Sequence, residues 1–555
     1  MLEKIHRWTA AHPNWTLLAA ILAALTPFLG KPFNIDDPLF LWAAKHIQTQ
    51  SGNPYNFNVN WGWTEFPMWK VTENPPLNCY FIAAVAGIFG WSEIVLHSAF
   101  LLPAVAVILG THRLARQFCQ QPLLAALLAL FTPVFLVSGT TVMCDVLMLA
   151  FWVWAVVLWA EGLVQESFRK LALAAMLIAL AEMTKYYAAS LVPLLAVYSL
   201  ASRRPLKQWA PFPLIPLALL FAYQTATQAA YGESLLFRAM DYASFSQNLF
   251  GFSKWNNGLI ALAFTGGCVA WSVFLAPQLL RLRTLAIVAG GAAIIFFGIF
   301  FNAALWKNYG AIQGAAHTSA QCQMLLWAVG GLGVLMLAFA DLWSRRDAGS
   351  ILLSTWVAGT FFFAAFCNWT VNARSILPLV PAAAILIVRR LEQTRTARPT
   401  VLKLGVALGA VFALLVTWSD FSNADAGRQS AEQVAGKYGH ATGTLWFQGH
   451  WGFQYYLEQR GGTAVDFKHP GLKPGDIVVL PANNTNILPL DPRSATLLEV
   501  FTVAGPAWWT TWNPNVGAGF YAAARGPLPF VFGAVPPEDV RVYLLKSLGP
   551  PPEKN

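Results

Sequence analysis

Apolar windows long enough to cross a bilayer recur from residue 15 to about residue 419 of this 555-residue chain, too many for one water-soluble core to absorb. In lipid each window can satisfy its backbone hydrogen bonds only as a helix, so the windows set the class before any motif is read. With 56% hydrophobic and 11% charged residues, the chain is expected to be a polytopic α-helical membrane protein. The windows fall at roughly 14–30, 94–111, 121–138, 141–160, 171–183, 186–200, 209–229, 257–277, 284–303, 322–341, 350–367, 373–388 and 401–419, about thirteen transmembrane helices in all. Residues 420–555 hold no comparable window and are expected to form a small soluble α/β domain after a membrane domain of 1–419.

A formal net charge of +10 is explained by where the charges lie. No basic face or arginine–aromatic platform of a nucleic-acid binder is present, so no nucleic-acid partner is expected. Lys4/Arg7, Arg113/Arg116, Arg169/Lys170, Arg203/Arg204/Lys207, Arg281/Arg283, Arg345/Arg346 and the run from Arg389 to Lys403 fall on one side when the spans alternate. That side is cytoplasmic by the positive-inside rule, together with the N-terminus. Loop 31–93, the loops near 230–256 and 304–321, and the tail are then extracytoplasmic, in a plasma (inner) membrane of bacterial type. The threading takes the first window as a retained helix, 171–200 as two short helices around "AEMTKYYA", and 78–90 as a partly inserted or interfacial segment. Nothing in the residues sets the oligomeric state.

Cys79, Cys119, Cys144, Cys268, Cys322 and Cys367 lie in or beside apolar segments without Cys-x-x-Cys spacing, which points to packing rather than a disulfide scaffold or thiolate metal site. The nine histidines are scattered and lack the paired arrangement of a zinc hydrolase.

The chemistry is expected from the few charges beside the membrane. "NIDDPLF" places Asp36 and Asp37 just outside the first helix, where a carboxylate can meet a substrate at the bilayer surface or cap the helix that Pro38 opens. Adjacent helical side chains do not face one another, so one acid is expected to point at chemistry while the other caps. Glu73 in "WKVTENPPLNCYF" is set in direction by Pro75-Pro76. Asp145 in "GTTVMCDVLMLAF" must face the protein interior, a cavity or a partner. Lys185, with Tyr186 and Tyr187, occupies a break between two apolar runs and suits an anionic phosphate head group, or else snorkels or is neutralised by Glu182. Arg374 opens a late helix without an acid nearby in sequence; its fork suits phosphate oxygens or a helix anchor. Asp36 and Glu73 are oxygen ligands that, with a substrate phosphate, suit a hard divalent metal ion of unspecified identity. In the tail, Trp446, Trp451, Tyr455, Tyr456, Trp508, Trp509 and Trp512 suit stacking on sugar faces, packing a core or resting on the membrane.

Taken together, "NIDDPLF" after the first helix, "TENPPL", "MCDVLMLAF" and the Arg374-x-x-x-Pro378 element resemble the multi-spanning GT-C glycosyltransferases, particularly the protein O-mannosyltransferase and lipid A aminoarabinose transferase branch. The likeness covers roughly residues 1–420. It implies a GT-C type fold and transfer of a glycosyl group from a polyprenyl-phosphate donor to an extracytoplasmic glycan, lipid or protein acceptor. It also implies that Asp36 or Asp37 is the carboxylate nearest the acceptor, Glu73 a cavity or metal-site acid, Asp145 part of the site, and Lys185, Tyr186 and Arg374 donor contacts. The chain departs from the family in having Asp-Asp where Asp-Glu is more familiar, and Asn74 where aminoarabinose enzymes have a lysine. Alternative expectations are a lipid-linked glycan transporter or flippase, and a non-catalytic envelope polysaccharide assembly protein.

Overall fold

A computed structural model describes residues 11–279, 282–394, 399–441 and 443–546. The chain is a polytopic α-helical membrane protein with a β-rich C-terminal region. Among the described residues five helices are long and apolar enough to cross a bilayer by themselves: Glu93–Ala115, Cys144–Val164, Gly314–Arg345, Ala348–Cys367 and Pro399–Tyr438. A bent pair, Ala286–Phe300 with Ala303–Tyr309, makes a sixth span if counted as one. The expected count of thirteen therefore is not reproduced by helix length. The physical reason is visible in several windows. Window 121–138 is split at Pro133 into Pro122–Leu130 and Pro133–Ser138, because a proline supplies no N–H to continue the ladder. Window 171–200 is divided at Lys185, whose backbone is extended, as its break in apolar pattern predicts. Residues 78–90 form one apolar helix, Leu77–Phe89.

Helices meet closely where small residues permit it. A Cβ added at Gly266 would lie 1.8 Å from the Trp327 carbonyl oxygen, and one at Gly331 2.0 Å from that of Leu262. The backbones of Lys254–Val269 and Gly314–Arg345 thus touch directly, the usual solution where lipid gives helices no hydrophobic drive to associate. Polar pairs occupy two levels of the bundle. On helix Cys144–Val164, Asp145 stands in the first turn and Glu161 in the last, about 24 Å further along at 1.5 Å per residue. Glu161 pairs there with Arg113 (2.6 Å) and with Lys170.

The expected domain boundary at 419/420 falls inside helix Pro399–Tyr438. Val401, Leu404, Leu408, Val411, Leu415 and Trp418 recur at three- and four-residue steps and are exposed, forming the stripe that faces lipid. Beyond Trp418 the same helix carries Ser419, Asp420 and a polar sequence without breaking. After it, Leu445–Phe447, helix Trp451–Glu458 and Ile477–Pro481 form the expected α/β element, the two strands pairing in parallel. Ala495–Val503 and Glu538–Leu545 extend it antiparallel into a five-stranded sheet. The segment between them, 505–533, turns back onto the helical bundle. Phe530 and Phe532 pack with Trp327 and Phe412, and the Ala373 N–H donates to the Phe520 carbonyl at 2.9 Å. The tail is therefore packed into the membrane part rather than tethered to it.

Candidate functional site

A cavity of about 760 Å³ opens where the outer loop, the starts of several helices and the tail meet. Asp36, Glu73, Lys185, Tyr186 and Arg374 all line it. Each is placed by a local device. Ile35, a β-branched residue, is held at φ 51°, a strained left-handed conformation that turns Asp36 away from its neighbour. Asp36 then faces the cavity, and Arg374 Nη2 donates to its Oδ2 at 2.6 Å. Arg374 lies in the short helix Ala373–Ile376, capped by Asn372, whose Oδ1 accepts from the Ser375 N–H at 2.8 Å. Asn368 braces the same turn through Ser375 Oγ at 2.7 Å.

Asp145 does not line the cavity but sits directly behind it. Its Oδ1 accepts from Lys185 Nζ at 2.6 Å, and its Oδ2 lies 3.9 Å from Arg374 Nη1. The result is an alternating row, Lys185, Asp145, Arg374, Asp36, in which each buried charge has an opposite neighbour, as a low-dielectric site requires. Glu182 is not the partner of Lys185: both its oxygens are buried without a hydrogen bond among the described residues. Lys185 in its extended break points instead to a carboxylate forty residues earlier.

Asp37 has a different place from Asp36. It is 1% exposed, outside the cavity lining, and caps no helix amide. Its Oδ2 accepts from the Asn34 N–H (3.1 Å) and its Oδ1 from the Val142 N–H (3.0 Å). Asn78 holds the Val142 carbonyl from the other side at 2.9 Å. Asp37 thus ties the first loop to the residues that open helix Cys144–Val164, and so sets where Asp145 stands. Burial pushes its carboxyl up to about 7, against the pull of Lys31 and the two amides.

Glu73 lines the cavity with Oε2 buried and without a hydrogen-bond partner among the described residues. Burial pushes its carboxyl up to about 8, only partly offset by Arg238. Among the described residues no group of three or more His, Cys, Asp or Glu side chains is placed to hold a metal ion.

The tail supplies a wall of the cavity: Trp451 and Trp512, named among the tail aromatics suited to stacking on a sugar, and His450, Asn486, Tyr521 and Arg525, which sequence reasoning missed. Trp451 stands at φ 67°, a conformation rare for a bulky residue, and meets Trp512 edge-on at 4.8 Å. His450 bonds Gln454 Oε1 (3.0 Å) and Asn486 Nδ2 (2.8 Å), and burial holds its imidazole below the usual range, hence neutral. The Tyr521 ring lies under the Arg374 guanidinium at 5.8 Å, and its hydroxyl donates to Asp420 at 3.0 Å. Asp420 is in turn paired with Lys31 at 2.5 Å, both buried. The aromatic readings of the tail divide accordingly: Trp451 and Trp512 line the cavity, Trp509 packs against Phe532, and Trp508 is exposed.

Residues 73–226 match the family model described as dolichyl-phosphate-mannose-protein mannosyltransferase. The match opens on Glu73 and takes in Asp145, Lys185 and Tyr186, and over that stretch the resemblance to the GT-C glycosyltransferases is borne out. No curated protein sequence matches the chain. Among solved structures it is similar to an Archaeoglobus fulgidus oligosaccharyltransferase tethered with an acceptor peptide, at 13% identity and TM-score 0.48 over 82% of this chain and 64% of that one. It is also similar to ArnT from Cupriavidus metallidurans bound to undecaprenyl phosphate, at 14% identity and TM-score 0.43 over 86% of this chain and 93% of that one. A third is the arabinofuranosyltransferase AftD from Mycobacteria, at 13% identity and TM-score 0.36 over 98% of this chain and 40% of that one. The chain spans less than two thirds of the length of the first and under half of the third.

Proposed function

We propose that this chain is a membrane glycosyltransferase that moves a sugar from a polyprenyl-phosphate donor to an acceptor on the extracytoplasmic face. The observation that carries the reading is the convergence of Asp36, Glu73, Lys185 and Arg374 on one cavity, from positions spread over more than three hundred residues. The family model that matches 73–226 is named for a polyprenyl-phosphate-linked sugar, which supports the donor class. The second polar level about 24 Å away, with Arg113 and Lys170 on Glu161, supports a cytoplasmic opposite face and an extracytoplasmic cavity.

Arg374 holds Asp36 Oδ2, which leaves Oδ1 to accept the acceptor's O–H hydrogen bond. As the acceptor oxygen attacks the anomeric carbon, its proton passes to Asp36 and the bond from that carbon to the donor phosphate breaks, the electron pair staying on phosphate. Lys185 and Arg374 are fixed before the reaction, so they stabilise the new phosphate charge without reorganising. Asp145 and Asp37 are positioning residues, one aligning the two cations and the other seating Asp145. A divalent ion would take Asp36 and Glu73 as its protein ligands. Asp36 is already neutralised by Arg374 and Glu73 retains its proton near neutral pH, so this donor pair fits a divalent ion poorly and no step passes through one. The acceptor is a glycan, a lipid or a protein bearing a nucleophilic hydroxyl or amine.

The test is transfer in lipid vesicles supplied with a polyprenyl-phosphate sugar. Lys185→Ala and Arg374→Ala are expected to raise the donor concentration needed for half-maximal rate. Donor dependence identical to wild type in both variants overturns the assignment.

A further inference from the structure

The row Lys185, Asp145, Arg374, Asp36 is balanced: two cations and two carboxylates, each paired. Glu73 adds little negative charge while burial keeps its proton on. A lipid phosphodiester brings one negative charge, and cleavage of its bond to the sugar leaves a phosphate monoester that bears a second. Lys185 and Arg374 meet that second charge while each also holds a carboxylate, so a cation outside the row would add to what they supply. Two cations that line the cavity stand outside the row, Lys70, whose Nζ lies over the Trp69 ring at 4.9 Å, and Arg525 on the tail. Arg525 has no ion pair and no side-chain hydrogen bond with any described residue, although it lies at the same cavity.

Its backbone is not loose. Ala523 N–H donates to the Val371 carbonyl at 2.8 Å and Ala524 N–H to Thr370 Oγ1 at 3.2 Å, the Arg525 N–H closing the turn on Ala522 at 3.0 Å. Tyr309 holds the Ala523 carbonyl at 2.7 Å. The segment carrying Arg525 is therefore pinned to the residues that lead into Arg374, so the two arginines stand on backbone segments joined by hydrogen bonds. Arg374 Nε is itself buried and unpartnered among the described residues. Arg525 is exposed and its charge is solvated, whereas the buried Arg374 Nε is a donor that a phosphate oxygen would complete.

We propose that Arg525 is the phosphate-binding arginine supplied by the C-terminal region, completing with Arg374 the site for the leaving phosphate of the lipid donor. This rests on the donor reading above. In the step itself, the bond from the anomeric carbon to the phosphate oxygen breaks, the pair stays on that oxygen, and the acceptor proton goes to Asp36. Arg525 takes no proton and forms no bond; it meets the charge that the oxygen gains.

The experiment is titration of the full-length protein in detergent with farnesyl phosphate, with farnesol as the uncharged control, followed by transfer kinetics. Arg525→Ala and Arg525→Gln, checked for unchanged Tm, are expected to weaken farnesyl phosphate binding at least about tenfold, with Arg525→Lys recovering part and farnesol unaffected. Donor KM should rise while acceptor KM stays. Equal farnesyl phosphate binding by wild type and both variants overturns the role of Arg525 and leaves the proposed function standing. A rise in acceptor KM alone also overturns it, since Arg525 would then read an acceptor anion. Wild type that binds farnesol as well as farnesyl phosphate removes the donor reading and this inference together.

Discussion

Exchanging Asp36 or Asp37 for asparagine separates two roles that adjacent residues of the same type would otherwise share. Asp36→Asn replaces the carboxylate that, alone among the described residues, both faces the cavity and touches Arg374, so it removes the base while preserving shape. General-base loss costs about 10²–10⁴ in rate. Arg374 retains Asp145 at 3.9 Å, so the fold should hold and Tm should stay near wild type. Asp37→Asn instead exchanges one of two acceptor oxygens for an NH₂ that faces a backbone N–H, in a residue 1% exposed. One buried donor left unsatisfied costs about 1–3 kcal/mol, and Asp37→Ala, which orphans both, about 2–6 kcal/mol. Initial transfer rates in donor-loaded vesicles, normalised to folded protein, and Tm in detergent read the two effects independently. The reasoning is refuted if Asp36→Asn transfers at the wild-type rate. It is refuted equally if Asp37→Asn keeps its Tm and loses transfer.

Glu73 should give the protein an alkaline liability. Its folded pKa of about 8 lies above the ordinary 4.5, so its contribution to stability is full below about 4.5 and is lost as pH rises through about 8. Glu73→Gln, a mimic of the protonated acid, should flatten Tm against pH across that window, and an unchanged slope would contradict a buried, protonated Glu73. Lys31→Met strands Asp420 in the interior and should cost about 3–5 kcal/mol, read as a fall in Tm. Adding Asp420→Leu should recover part of that loss, because an apolar pair no longer buries an uncompensated charge.

Charged residues in and beside apolar sequence are costly, and that cost made Asp36, Glu73, Lys185 and Arg374 legible before any fold was known. The break at Lys185 was legible for the same reason. Its partner was not: Glu182 is nearly one helical turn away in sequence, whereas Asp145 reaches Lys185 only through helix packing. Asp36 and Asp37 could be assigned different duties but not told apart, because the distinction is made by the backbone turn at Ile35. Nothing in the sequence singles out Lys31, whose partner Asp420 lies 389 residues on. The tail wall was hidden most thoroughly. Trp451 and Trp512 stood out as aromatic residues without a place, while Tyr521 and Arg525 sit in a glycine-rich stretch that looks like turns of a separate domain, and only the return of 505–533 onto the bundle brings them to the cavity. The loss of apolar pattern after Trp418 likewise marked where lipid ends, which is not where the helix ends.

That uninterrupted helix, Pro399–Tyr438, is about 60 Å long at 1.5 Å per residue, roughly twice the thickness of a bilayer's hydrocarbon layer. It behaves as a drive shaft. One residue inserted in its lipid-facing half would raise everything beyond it by about 1.5 Å and rotate it by about 100°. Asp420 would swing off Lys31, and the sheet would arrive out of phase with the bundle it must meet. Natural changes in the length of this helix should therefore come in whole turns, three or four residues at a time.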